Sequence, residues 1–326
     1  MSKERTTSTA SASEGTGGLE IGPIRDDERF GEYVYRHEKV HGIVYPPGLT
    51  EERMDLFKDQ FQGRSTDVYI VTFPKSGTTW TQQVLHLLQN KGEQGDVPLI
   101  RAIPWVERVI AAGGEEGVKE IENMPSPRFF KSHSPVHLFP KAEEGAKIVV
   151  VGRNPKDTMV SMFHHAKSKV EFEFNGDWKD WYRIFLDGNC ESGDWFEYTL
   201  GWWNESQTKD NVMFFTYEEM KRDPKAMIGR LATFCDIEAD ENLIDLVVEG
   251  SSFNAMKSNT LTNCEQIPQR GEPHLRKGQV GDWRNYFTVA QNDAFNALYD
   301  ELMAGSGLDF EFYPPHEIDE EESKDS

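Results

Sequence analysis

The pattern of this chain predicts an α/β domain: one central parallel sheet flanked by helices. Three observations carry that expectation. Short, β-branched apolar runs recur along the chain, as strands buried on both faces require. Helical patterns separate them, and strands alternating with helices imply right-handed crossovers and a sheet covered on both sides. One strand-to-helix junction is built from Pro, Lys, Ser and Gly, which makes it a turn of unusual chemistry.

The expected strands are residues 68–73, 128–131, 147–152 and 212–217, and the expected helices are 78–89, 155–167, 194–206 and 226–235. The first strand runs through Val71, Thr72 and Phe73 into Pro74-Lys75-Ser76-Gly77-Thr78-Thr79-Trp80, and an amphipathic helix resumes through Val84, Leu85, Leu87 and Leu88. Such a junction points backbone N–H groups and the positive end of a helix at one spot, which suits an anion. Lys75 adds a mobile charge, and Ser76, Thr78 and Thr79 add hydroxyls. The loop is not that of kinases and ATPases, whose lysine follows a second glycine; here Lys75 precedes Gly77. The bland alternative is a helix start capped by Ser76 or Thr78.

The second strand ends in Lys131-Ser132-His133, where a base and a cation stand together at a strand end. The third, Ile148-Val149-Val150-Val151-Gly152, leads directly to Arg153, with Ser161 on the helix that follows. An arginine fork beside a hydroxyl suits a second phosphate; the alternative is a surface ion pair between Arg153 and Asp157. His164-His165 lacks a further ligand at metal spacing and reads as non-metal. Towards the end, Arg276-Lys277-Gly278 lies in a long Gly- and Pro-containing loop, either a lid over an anion or a solvated basic patch. In open α/β sheets ligands bind at the carboxyl ends of the strands, where these residues fall.

The chain has 326 residues, of which 37% are hydrophobic, enough for a large core, and a formal net charge of −21. That charge argues against nucleic acids and anionic membranes as partners. An anionic ligand would need a local basic pocket built against the field of the rest. Three separated cysteines, Cys190, Cys235 and Cys264, form neither a disulfide framework nor a zinc site and suit a reducing compartment. No apolar run is long enough to span a bilayer, so a cytoplasmic location is expected. Residues 1–19 are Ser/Thr/Gly-rich and 316–326 acidic, both expected to be disordered tails, with 20–315 as one domain without internal repeats.

Three segments together resemble the cytosolic sulfotransferases: Pro74 to Trp80, then Arg153-Asn154-Pro155-Lys156-Asp157 with Ser161, then Arg276-Lys277-Gly278-Gln279-Val280-Gly281-Asp282-Trp283. The similarity spans the chain between the tails. It implies a single α/β domain with a P-loop-like phosphosulfate loop. The donor it implies is 3′-phosphoadenosine 5′-phosphosulfate, leaving 3′,5′-adenosine bisphosphate, with no metal. By match to the family motifs, Lys75, Ser76, Gly77, Thr78, Thr79 and Trp80 would hold the phosphosulfate and adenine. Arg153, Ser161, Arg276, Lys277 and Gly278 would hold the 3′-phosphate. Tyr217, Ser251, Ser252, Phe253 and Met256 match the remaining nucleotide contacts, with Ser251 standing where the family usually has threonine.

The resemblance also implies roles. His133 would act as base, with Lys75 and Lys131 stabilising charge on the leaving nucleotide and on the group in flight. Tyr45 and Trp105 would line the pocket for a small-molecule acceptor. Arg108 and His165 fall where many relatives carry aromatics, and Ser134 replaces a commonly apolar residue, so a more polar or partly anionic acceptor than a simple phenol is expected; alternatively Arg108 points to solvent. The segment from Arg284 to Asp293 resembles the family's dimer motif, with Arg and Asp where Lys and Glu are usual. The competing readings are a non-catalytic nucleotide-binding protein and a P-loop-type phosphotransferase.

Overall fold

The computed structural model describes residues 33–314 except Lys141 and Glu265; both expected tails lie outside the described residues. Two short antiparallel strands come first, β1 (Glu38–Val40) and β2 (Ile43–Tyr45), joined at His41 and Gly42, both with positive φ. The positive φ at both loop positions fits the right-handed twist of the flanking strands. The central sheet follows: β3 (Val68–Thr72), β4 (Phe129–Ser132), β5 (Lys147–Gly152) and β6 (Val212–Thr216), all parallel in the order β4-β3-β5-β6.

Every residue of β3 is buried, because the strand has a neighbour on each edge and helices on each face. Side-chain alternation divides the core in two. Val68, Ile70, Val149 and Val151 pack with Val84, Leu85 and Leu88 of the helix Thr78–Gln89 and with Ile228 and Leu231 of Pro224–Phe234. Tyr69, Val71, Ile148 and Val150 face the other way, into a core with Met159, Trp181, Trp195 and Trp202.

Boundaries differ from expectation by a residue or two, and each difference has a local cause. The last strand stops at Thr216 rather than 217 because Thr216 and Glu219 form a capping box that starts the helix Tyr217–Arg222. The helix expected at 194 begins at Trp195, with Asp194 as its cap, and the one expected at 226 begins at Pro224 behind Asp223.

The two ends of the sheet do different things. At the amino end, Arg128 and Asp67, with side chains 0% exposed, are joined by two hydrogen bonds of 2.8 and 2.6 Å. The backbone N–H of Arg64 and the hydroxyl of Tyr69 donate to the same carboxylate. The carboxyl end opens into a cavity of about 780 Å³.

Candidate active site

Each parallel strand delivers a side chain to this cavity: Lys75 after β3, His133 after β4, Arg153 after β5 and Tyr217 after β6. The loop after β3 sets Lys75 at φ +70° and Gly77 at φ +108°. A Cβ on Gly77 would come within 3.0 Å of the Tyr217 ring, so only glycine allows this close approach. Gly77 is itself the N-cap of the helix Thr78–Gln89 and no side chain caps it. The reading of Ser76 or Thr78 as a cap is therefore overturned. Thr78 Oγ1 lies 2.6 Å from Thr72 Oγ1, and Ser76 Oγ is buried without a partner among the described residues.

Arg153 does not pair with Asp157. Its guanidinium donates to the carbonyls of Lys75 (3.1 Å) and Gln279 (2.9 Å) and stacks over the Tyr217 ring at 4.5 Å, leaving Nε without a partner among the described residues. Asp157 instead accepts from the Asn154 amide and from the backbone N–H groups of Gly281 and Trp283. It thereby anchors the loop that carries Arg276, Lys277 and Gly278 to the wall. Arg276 and Lys277 both donate to Asp282 at 2.6 Å, and these bonds, with one from Asn285, hold its carboxylate down at about 2 although burial pushes the other way. This loop is therefore not a plain connector, although Lys277 is 41% exposed.

Trp80, Tyr217 and Phe253 form an aromatic end of the cavity, with Trp80 and Tyr217 edge to face at 5.4 Å. Gly278, at φ +64°, approaches Phe253 so closely that a Cβ would lie 2.4 Å from the ring. Thr79, Ser161, Ser251 and Met256 also line the cavity. Ser252 does not; it caps the helix Phe253–Ser258 through the Ala255 N–H. Ser76 is buried behind the loop rather than on the wall.

At the other end His133 is buried, its Nδ1 at 2.8 Å from the carbonyl of Thr72. A carbonyl only accepts, so Nδ1 carries the proton and Nε2 keeps its lone pair. Burial first, then the charge of Lys131, lowers its pKa to about 3, so the ring is neutral. The ring stands edge to face against Trp105 at 4.9 Å, and the Lys131 ammonium lies 5.2 Å from the same indole. Burial and then Lys169 lower Lys75 to about 7, while burial lowers Lys131 as well.

Arg108 lines the cavity with its side chain still 41% exposed, held by both carboxylate oxygens of Glu171 and lying over Trp105 at 5.7 Å. His165 is on the wall with its Nε2 3.7 Å from Glu191. Two expectations fail here. Tyr45 is 0% exposed and behind the wall, its hydroxyl on Ser134, and Ser134 faces the buried Glu107 instead of the cavity. The hydroxyl of Ser134 answers an internal carboxylate, so it is no sign of a polar ligand. His164 is also turned away, between Tyr286 and Glu272.

Sequence reading missed Lys169, Glu171, Glu191, Lys221 and His274, all on the cavity wall. His274 had a local signal, two residues before Arg276: its Nε2 lies 3.1 Å from Thr79 Oγ1, and Lys75 Nζ donates to its carbonyl at 3.4 Å. The others come from segments without a motif. The cavity thus gathers Lys75, Lys131, Lys169, Arg108, Arg153 and Arg276 within a chain of net charge −21. Buried donors without partners among the described residues at Trp80 and Arg153, both on the wall, and the close glycine cradles fit a phosphate-bearing adenine nucleotide.

Comparison with known proteins gives the same direction. Residues 65–307 match the family model described as "Sulfotransferase domain". The chain is 35% identical to sulfotransferase 1B1 of Mus musculus over 294 residues, 86% of this chain and 96% of that protein. It is also 35% identical to sulfotransferase 2B1 of Homo sapiens, covering 84% of this chain and 75% of that one. Among solved structures, mouse sulfotransferase SULT7A1 complexed with PAP superposes with a TM-score of 0.70 at 28% identity, over 88% of this chain and 99% of that chain. Retinol dehydratase in complex with androsterone and inactive cofactor PAP has a TM-score of 0.72 at 23% identity, covering 82% and 89%, a likeness of fold.

Proposed function

As a member of the cytosolic sulfotransferase family, this chain is a sulfotransferase, and we propose that it transfers the sulfuryl group of 3′-phosphoadenosine 5′-phosphosulfate to a hydroxyl or amine of a small polar acceptor, with His133 as the base. When bound, the nucleotide supplies the sulfuryl electrophile and 3′,5′-adenosine bisphosphate as leaving group. The loop 74–80 would cradle the phosphosulfate with backbone N–H groups and Lys75, and Trp80, Tyr217 and Phe253 would pack on the adenine. Arg153, Ser161, Arg276, Lys277 and Gly278 would hold the 3′-phosphate; the hydrogen bonds of Arg276 and Lys277 to Asp282 support this by holding both side chains beside the cavity.

One observation carries the catalytic assignment. Thr72 accepts the Nδ1 proton of His133, which leaves Nε2 unprotonated in the cavity that Lys75 and Lys131 also line. A neutral imidazole held in this tautomer can take the acceptor's proton as the new bond forms. Lys75 then meets charge developing on the leaving oxygen and Lys131 on the transferring group, in a site where desolvation strengthens both. Catalysis by positioning and electrostatics is the expectation for such in-line transfer, by analogy with phosphoryl groups.

The test is labelled-sulfate transfer with His133→Ala. Turnover is expected to fall about a hundredfold or more, while affinity for 3′,5′-adenosine bisphosphate, read by calorimetry, stays near that of the wild type. A variant that keeps full turnover rules out the assignment. The same reading places the enzyme in the cytoplasm and pairs it with a second copy through residues 284–293.

A further inference from the structure

The cavity holds a cation that the reaction above leaves unused. Lys169 directly follows the helix Pro155–Ser168, is 4% exposed, and lines the same cavity as His133. Its Nζ is buried with no hydrogen-bond partner among the described residues. Its backbone is fixed on two sides: its N–H donates to the His165 carbonyl at 3.0 Å, and it forms an antiparallel bridge with Gln269. The main chain is therefore held in place at this position, and the ammonium is buried.

Among the described residues no carboxylate hydrogen-bonds it. Glu171 acts on Lys169 through space, but both of its oxygens are taken by Arg108. Glu191, a buried carboxylate on this wall, faces His165 at 3.7 Å. Lys131 and Arg108 repel Lys169, and burial lowers its pKa to about 8, which still leaves it mostly cationic at neutral pH. The groups matched to the donor nucleotide lie on the loop 74–80, on Arg153 and on the loop of Arg276, so Lys169 is supernumerary for that ligand.

We propose that Lys169 is a specificity-determining residue that selects acceptors bearing a carboxylate-class anionic substituent, with the Arg108–Glu171 pair forming the adjoining wall. The proposal rests on the sulfotransferase reading above and names the acceptor class for the same site. The physical reason is two-sided. An anionic substituent gives the buried ammonium a charge-assisted hydrogen bond. A neutral acceptor of the same shape leaves it dry and unpaired, and a cationic one adds repulsion, so discrimination comes from both attraction and penalty.

The test uses matched para-substituted phenols bearing carboxylate, carboxamide or aminomethyl groups on side chains of graded length, with saturating donor. In the wild type, kcat/KM for one carboxylate is expected to exceed that for its carboxamide by about tenfold or more, the scale of one charge-assisted bond. Lys169→Gln brings that ratio close to one, and Lys169→Glu turns it in favour of the amine. An unchanged ratio in Lys169→Gln overturns the proposal. So does an equal loss with all three acceptors, which would put Lys169 on the transferring group instead. If the variants do not fold, inhibition of the wild type decides: hydroxyl-free arylcarboxylates must compete with the acceptor better than their carboxamides, and equal or weaker inhibition overturns the idea. Failure of the underlying reading looks different, since a chain that binds no 3′,5′-adenosine bisphosphate and sulfates no acceptor sinks both.

Discussion

Lys75 links the residue scale to pH. In the free site burial and the nearby Lys169 lower its pKa to about 7, so it loses its charge just above neutrality. An anionic nucleotide favours the charged lysine, which raises the bound-state pKa above the free one. Binding above about pH 7 must then take up a proton, and affinity falls as pH rises through that window, by at most about tenfold per unit for one proton. The nucleotide's phosphates do not confuse the measurement, because their second ionisation, near about 6, is complete by then. Calorimetric titration of 3′,5′-adenosine bisphosphate in buffers of different ionisation enthalpy reads the uptake directly. Affinity that stays flat from about pH 6.5 to 9 would contradict the assignment of Lys75 as a nucleotide cation. Among single residues, the motif positions Lys75, His133 and Arg153 were legible because each lies just beyond the carboxyl end of a strand. Lys169 and Glu191 were not, since nothing in their neighbours marks them and only the fold turns them inward.

At the scale of elements, the sheet separates stability from chemistry. Its carboxyl end accumulates like charges around a cavity, while its amino end is locked by Arg128 and Asp67. Arg128 also donates to the carbonyls of Ile121 and Gln62, tying the strand to the segments before it. Replacing Arg128 with Leu leaves the Asp67 carboxylate buried without its cation, which is expected to cost about 3–5 kcal/mol of folding stability. Denaturant unfolding monitored by circular dichroism checks this, and a loss below about 1 kcal/mol would mean that water reaches the carboxylate. The strands were readable because β-branched runs buried on both faces have few alternatives. The last boundary was misplaced at 217 since Tyr217 suits a strand by propensity, whereas the pairing of Thr216 with Glu219 decides for a helix. Tyr45 was misassigned for a related reason: an aromatic near the site can as well pack behind its wall.

For the whole molecule, a net charge of −21 surrounds a cavity walled by six or more basic side chains. Burial keeps those groups apart from the bulk field and from screening salt, so the local sign prevails over the global one. The proposed homodimer belongs to this scale too. Val289 opens the helix Val289–Met303 and is 79% exposed within the 284–293 segment, an apolar side chain that the described residues do not cover. Val289→Asp is expected to shift the wild-type dimer to a monomer in sedimentation velocity while leaving the unfolding midpoint of the chain nearly unchanged. A wild type that sediments as a monomer at every concentration tested would refute this interface.

Linear order alone determined the alternation of strands and helices, the parallel sheet, and the placing of Lys75, His133 and Arg153 at strand ends, because periodicity and turn chemistry are local properties. Only the folded chain decided that Arg153 rests on Tyr217 instead of Asp157, that Asp157 anchors the loop before Trp283, and that Lys169 joins the cationic wall. Electrostatic energy and hydrogen bonding depend on distance through space, and residues far apart in the chain acquire that distance only when the layers pack.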